Sequence, residues 1–285
     1  MTFLESTVHC HTNLCDGNNT PAEMAKAAFE SGIKVLGLSG HSHTPHDDSY
    51  CMSVENTARY RAEIKALQAE YAGRMTILCG LEWDQHSDES LSGWDYTIGS
   101  VHYVTGPKTG TRYTIDYREE DLRACLQEFE GDGDAMAEAY FAAVAEVAAK
   151  GPTILGHFDL LKKLNGKGRF FDENSPRWRA AAFRALEAAY GRVGALEINT
   201  GGVARGYRTD FYPAPDLLAH WRTLGGKVIF TADAHSTENL LYAFEQAALT
   251  GNPGNWNYIN GVLANLSRRG IETLSDAENY DDENH

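Results

Sequence analysis

The sequence predicts an α/β protein in which seven parallel strands alternate with helices around a closed or nearly closed barrel. Three observations carry this expectation. Seven short runs rich in Val, Ile, Leu or aromatic residues recur along the chain: "STVHCH", "KVLGLSGH", "MTILCGLEWD", "DYTIGSVHY", "PTILGHFD", "GALEINT" and "KVIFTADAH". Segments with helical spacing and recognisable ends separate most of them. Six of the seven runs also finish on a histidine or carboxylate of metal-binding type. Strands covered on both faces read as near-continuous apolar runs, and strand–helix alternation implies parallel pairing with right-handed crossovers. Periodicity alone leaves an open doubly wound sheet as the alternative.

The elements follow in order. After the first run, Thr20-Pro21-Ala22-Glu23 forms a capping box with proline at the first helical position, and Gly32 supplies the stop. Behind the second run, Ser53 to Tyr71 carries helical spacing and ends at Gly73. The third and fourth runs follow closely. The stretch from Thr105 to Gly133 is long for a barrel connection, as lids and binding loops are. Asp134 to Lys150 is an alanine-rich helix ending at Gly151. Ser175-Pro176 opens another that closes at Gly191, and Pro215 to Leu224 makes a shorter one before Gly225-Gly226. Ser236 caps a last helix running to Thr250. The acidic ending "SDAENYDDENH" has few apolar residues, so the expected organisation is one barrel domain over 1–270 and a flexible tail over 271–285.

At 285 residues and 42% hydrophobic composition the chain can bury most of its surface in one core. Its 40 acidic against 25 basic residues give a net charge of -15, which opposes non-specific attraction to nucleic acid or anionic membrane and favours a small ligand. The N-terminal "MTFLESTVHC" has no basic, apolar leader pattern, and no apolar run is long enough to span a bilayer, so a cytoplasmic location is expected. Five scattered cysteines, Cys10, Cys15, Cys51, Cys79 and Cys125, do not describe a disulfide framework and read as reduced packing residues.

The unusual residues track strand ends. His9 and His11 end the first run, with Asp16 five residues on; His41 ends the second, Glu82 lies near the end of the third, and His102 that of the fourth. His157 ends the fifth, and Asp233 with His235 the seventh. In a parallel barrel these ends share one rim, where catalytic residues gather. Nine donors exceed the three or four that one catalytic ion takes, so two or three ions are implied. Imidazole and carboxylate without thiolate suit zinc, iron or manganese.

In order, "HCH…D", "GLSGH", "GLEWD", "GSVH", "GHFD" and "ADAH" resemble the motifs of the polymerase and histidinol phosphatase (PHP) superfamily, more narrowly its histidinol-phosphate phosphatase branch. The resemblance spans about residues 7 to 250, and "GSVHYV", "GHFDLLKKLN" and "EINTGG" add to it. It implies a distorted (β/α)7 barrel, TIM-like, with a trinuclear site at the C-terminal ends of the strands. His9, His11, Glu82 and Asp233 would hold one metal; Glu82, His102 and His157 a second; Asp16, His41 and His235 a third. Two departures from the family's pattern stand out. Many relatives have aspartate where Gly40 stands, and relatives outside this branch often have histidine where Asp16 stands.

A pair of cations roughly 3.5 to 4 Å apart activates a bridging water without a protein base. Phosphoryl transfer also favours an arginine clamp on the phosphoryl oxygens. Arg205 in "NTGGVARGYR" is the first candidate, with Arg208 and Arg169 behind it, and His43 in "GHSHT" is a candidate proton donor to the leaving alkoxide. Catalytic roles are thus expected for Glu82, Asp233, His43 and Arg205, and substrate contacts for Arg205, His43 and Arg169. Glu197, Asn199 and Asp84 read as hydrogen-bonding groups that orient ligands. His46, His86, His220 and His285 fall outside strand ends and are assigned no role.

The expected function is a metal-dependent phosphomonoesterase, with L-histidinol phosphate as the substrate that the resemblance implies. The alternatives are another hydrolase of the superfamily, such as a nucleotide phosphodiesterase or a broad phosphomonoesterase, and a non-catalytic metal-binding barrel. "GLSGH" lacks the last glycine of a nucleophile elbow, and no phosphate-binding Gly-rich loop ending in Gly-Lys-Ser/Thr is present.

Overall fold

The computed structural model describes residues 6–240. Seven parallel strands supply the framework: β1 (Ser6–Thr7), β2 (Val35–Leu38), β3 (Thr76–Asp84), β4 (Tyr96–Ser100), β7 (Ile154–Leu155), β8 (Ala195–Asn199) and β9 (Val228–Thr231). They pair in that order, and every register is parallel. A single parallel bridge between Cys10 and Ala234 joins the two ends of the sheet, with the His11 amide donating to the Ala234 carbonyl at 2.8 Å and the Ala234 amide to the His9 carbonyl at 3.0 Å. The sheet is therefore a nearly closed barrel, and the open doubly wound alternative is excluded.

The helices cover the outside, where their caps set their starts. α1 (Pro21–Glu30) begins on the reciprocal Thr20–Glu23 box, and Ser53 accepts the Asn56 amide at the head of α2 (Val54–Glu70). Between β4 and β7 the chain forms β5 (Tyr103–Thr105), β6 (Arg112–Thr114), α3 (Glu119–Glu128) and α4 (Gly133–Ala149). Helices α5 (Pro176–Ala189), α6 (Gly201–Ala204) and α7 (Pro215–Thr223) complete the described fold. The expected long loop over 105–133 is thus an antiparallel hairpin followed by a helix. Its turn is tied down by Glu128, whose carboxylate accepts from the Lys108 and Thr109 amides and from the Thr109 and Tyr113 hydroxyls. The helix expected to run from Ser236 to Thr250, the domain boundary at 270 and the tail over 271–285 lie wholly or largely outside the described residues.

Side chains along β4 show how the barrel interior is layered. Successive inward positions are Tyr96, Ile98, Ser100 and, just past the strand, His102, as the two-residue period of a strand requires. Tyr96 and Ile98 pack with Val8 and Ile154 into a small apolar cluster inside the tube. A Cβ at Gly37 or Gly80 would fall 2.3 or 2.2 Å from Tyr96 atoms, so only glycine at those positions on β2 and β3 admits the ring. Ser100 and His102 lie above this floor, where the polar residues begin.

Candidate metal centre

All nine expected donors converge on the rim above that floor. Among the described residues, every group of three or more side chains whose ligand atoms lie within 4.8 Å of one another is drawn from them: His9/His11/Asp233, His9/Glu82/His157, His41/Glu82/His102 and His11/Asp16/His41/His235. Glu82 is the hub. Its Oε2 lies 3.1 Å from His9 Nε2, 3.3 Å from His11 Nε2 and 3.0 Å from His41 Nδ1. Its Oε1 lies 2.9 Å from His157 Nε2 and 3.4 Å from His102 Nε2, and accepts the Ser100 hydroxyl at 2.7 Å. Asp233 Oδ1 stands 3.4 Å from His11 Nε2, and Asp16 stands 3.3 Å from His235 Nε2 and 3.7 Å from His41 Nε2.

On the Oε2 side of Glu82 proximity is not hydrogen bonding. His9 Nε2, His11 Nε2, His41 Nδ1 and Glu82 Oε2 are buried and make no aligned hydrogen bond, although they face one another at about 3 Å. Buried polar atoms left unpaired are costly, and several converging on one point are explained by a shared cation. The donor set therefore fits metal ions. Asp233 adds a backbone sign, since its φ of 49° lies in the left-handed region that non-glycine residues seldom occupy and functional sites tolerate.

A further layer fixes ligand orientation. The far nitrogen of His9 meets Glu197 at 2.5 Å, and Glu197 also accepts from the His157 amide, Thr231 and Asn199. His102 Nδ1 meets Asp84 at 3.1 Å. Such partners lock tautomer and ring orientation. Gly40 offers no such partner, and a Cβ there would stand 3.1 Å from the Met52 sulfur and 3.4 Å from the Cys15 sulfur, so a larger residue would have to push these side chains aside by a few tenths of an ångström.

Charge within the cluster is strongly coupled. Burial alone would lower the His41 pKa, but Glu82 and Asp16 override it and push it up to about 9. Burial works against ionised Glu82 as well, yet His41 and His9 hold it well below the usual carboxylate range. His11 goes the other way, to about 3, through burial and its neighbours His235 and His41, and so presents a neutral imidazole. Burial pushes the Cys15 thiol, 3.7 Å from His11, up to about 12, which keeps thiolate out of the donor set.

The cluster opens into a cavity of about 290 Å³. Arg205 lines it, donating to Asp233 Oδ2 at 3.0 Å and meeting His235 Nδ1 at 2.7 Å, while its buried Nε has no partner. Three expected residues do not reach this wall. After His41 the chain leaves the sheet, and His43 pairs with Asp88 at 2.8 Å. Arg169 is exposed and ion-paired with Glu119, and Arg208 is engaged by Glu173 and Asp210. We expect His43→Asn to change kcat with an alkyl phosphate by less than about 3-fold, because the aligned proton transfer worth ~10²–10⁴ is not available to it. A loss approaching 100-fold would restore its expected role.

The cavity also holds residues that carry no strand-end signal. Tyr50, Tyr103, Asp47, Asp116, Tyr117 and Lys163 line it beside the donors, with Lys163 and Asp116 paired at 3.0 Å and Tyr103 donating to Asp47 at 2.9 Å. The length of the stretch from Thr105 to Gly133 is the signal that pointed there, and it contains Asp116 and Tyr117.

Comparison with known proteins agrees with the geometry. Residues 7–201 match the family profile described as PHP domain. A second profile, described as replication initiation and membrane attachment, matches 228–281, but its described part supplies β9, Asp233 and His235 to this barrel. A Deinococcus radiodurans protein named "Probable histidinol-phosphatase" is 32% identical over 84% of this chain and 89% of its own length, and the Bacillus subtilis histidinol-phosphatase is 26% identical over 83% and 96%. Among solved structures, a Listeria monocytogenes protein provisionally named histidinol phosphatase superposes with a TM-score of 0.72 at 18% identity, covering 85% of this chain and 99% of that one. The histidinol phosphate phosphatase of Lactococcus lactis, solved with zinc, L-histidinol and phosphate, superposes with a TM-score of 0.61 at 21% identity, over 86% and 91%. Both share the distorted (β/α)7 barrel fold.

Proposed function

The chain belongs to the PHP domain family, and from that premise we propose that it is a metal-dependent phosphomonoesterase that hydrolyses L-histidinol phosphate to L-histidinol and phosphate. One observation carries the chemistry: nine donors with orphaned, mutually facing atoms at the base of a single cavity. The choice of substrate is supported by the histidinol-phosphatase relatives.

We assign three ions: His9, His11, Glu82 and Asp233 for one, Glu82, His102 and His157 for the next, and Asp16, His41 and His235 for the last. Glu82 would serve the first two, since one of its oxygens faces His9 and His11 and the other faces His102 and His157. Zinc, iron and manganese all suit these donors. When bound, the ions activate water and neutralise phosphoryl charge. Arg205 supplies fixed positive charge beside the site: its guanidinium lines the cavity and is held in place by Asp233 and His235, ready to face the phosphoryl oxygens. The wall beside the donors, with its tyrosines and with Asp47 and Asp116, receives the organic half. The partner is a small phosphorylated molecule, and net charge opposes nucleic acid. No helix among the described residues is long and apolar enough to cross a membrane, and five free cysteines fit a reducing cytoplasm.

Metal analysis paired with phosphate release tests this reading. Protein carrying about three equivalents of metal should cleave histidinol phosphate with kcat/KM at least ~10-fold above a panel of alkyl, sugar and nucleotide phosphates, a preference of ~1.4 kcal/mol. Equal rates across the panel would mark a broad phosphomonoesterase. Full occupancy without turnover of any ester would mark a binding barrel.

A further inference from the structure

Lys162 is among the largest wholly buried side chains of the described fold, and nothing in the chemistry above uses it. It sits in a short 3₁₀ turn, Leu160–Lys162, that starts where the Leu160 amide donates to the carbonyl of His157 at 2.9 Å. Its ammonium makes three contacts: Asp159 Oδ2 at 2.9 Å, Asp210 Oδ2 at 2.7 Å and the Phe211 carbonyl at 2.9 Å. Asp159 Oδ2 also accepts the Ala214 amide at 2.9 Å. Arg208 closes the arrangement, donating to Asp210 Oδ1 and to the Lys162 carbonyl, each at 3.0 Å.

A buried ion pair is weak evidence for stability, because desolvation offsets most of its attraction. Its geometry can still fix one arrangement of the chain. Here the segment held is 208–214, the return limb of the loop that carries Arg205. At its far side Tyr212 pairs through its backbone with Asn199 at 2.8 and 3.1 Å, and its ring packs where a Cβ on Gly202 would stand. Asn199 in turn donates to Asp233 Oδ2, the oxygen that Arg205 also holds. A continuous set of contacts thus runs from the His157 end of β7, through Lys162, to the Arg205 loop.

We propose that Lys162 is a positioning residue for the reaction: it pins 208–214 so that Arg205 faces the substrate phosphoryl group. The inference rests on the role given to Arg205 above. The test is a double-mutant cycle on the metal-loaded enzyme, with kcat and metal content read for Lys162→Met, Arg205→Ala and the pair. Lys162→Met is expected to lower kcat about 10-fold with unchanged metal content, and to add less than 2-fold once Arg205 is alanine. Equal losses in both backgrounds, with Arg205→Ala itself damaging, would overturn the inference alone. An undamaged Arg205→Ala enzyme would overturn the role of Arg205 and this inference with it. Should Lys162→Met fail to fold, Asp210→Asn keeps the Lys162–Asp159 pair. It should give a smaller loss that likewise disappears without Arg205, and persistence of the loss would count against the proposal.

Discussion

Glu82→Gln should abolish turnover of histidinol phosphate, with kcat/KM down at least ~10³-fold, or about 4 kcal/mol of transition-state stabilisation. The change keeps the side chain's shape, so packing on β3 survives. What it loses is an anionic oxygen pair that serves five imidazoles at once, His9, His11 and His41 on one side and His102 and His157 on the other. An amide offers one acceptor and turns two N–H donors toward nitrogens that must keep their lone pairs for metal. Metal analysis should therefore show fewer than two equivalents retained, while circular dichroism matches the parent. A variant that keeps three equivalents and runs within 10-fold of the parent would remove Glu82 from its bridging role.

Stripping the metals with a chelator should eliminate activity and lower Tm by roughly 10 °C. Two donors, His9 and His11, stand at the first strand and two, Asp233 and His235, at the last, across the seam that one bridge and a few backbone hydrogen bonds close. Ligands that bind only the folded state at ~1,000 times their Kd add ~4 kcal/mol, and each kcal/mol moves Tm by ~2–4 °C at this size. His41 sets the sign of the pH dependence. Because its pKa is raised to about 9 by Glu82 and Asp16 against the effect of burial, its contribution to the metal-free fold is complete below the unfolded value near 6.5 and disappears as pH rises through 9. Metal binding runs the opposite way, since it requires the proton to leave. The Tm gap between loaded and stripped protein should widen from pH 6.5 to 9. Calorimetry at both values checks this, and a gap that is constant or shrinks would contradict the assignment of His41 as a ligand.

Much of this site was legible because two signals coincide: the apolar runs mark the strands, and a donor after each run marks the rim. Nothing in one dimension says how far a strand continues. His43 looked equivalent to His41 because the period of two was extended past the point where the sheet ends, and its ring meets Asp88 instead. Arg169 and Arg205 are both loop arginines in sequence, and only folding separates an exposed partner of Glu119 from a neighbour of Asp233. In "DLLKKLN" nothing in the sequence distinguishes the two adjacent lysines. The tight turn sends Lys162 into the interior and Lys163 to the cavity wall, a division that no hydrophobic period encodes. The hairpin over 103–114 was missed because its strands are three residues long, too short for alternation to register.

Tyr96 gives the barrel a stopper. With its ring seated between Gly37 and Gly80, the tube is corked at the end away from the donors, and traffic is confined to one doorway. If the donor cluster receives the phosphoryl group as proposed, substrate would have to enter phosphate first. The alcohol, sitting nearer the exit, would then depart ahead of the anion lodged beneath it.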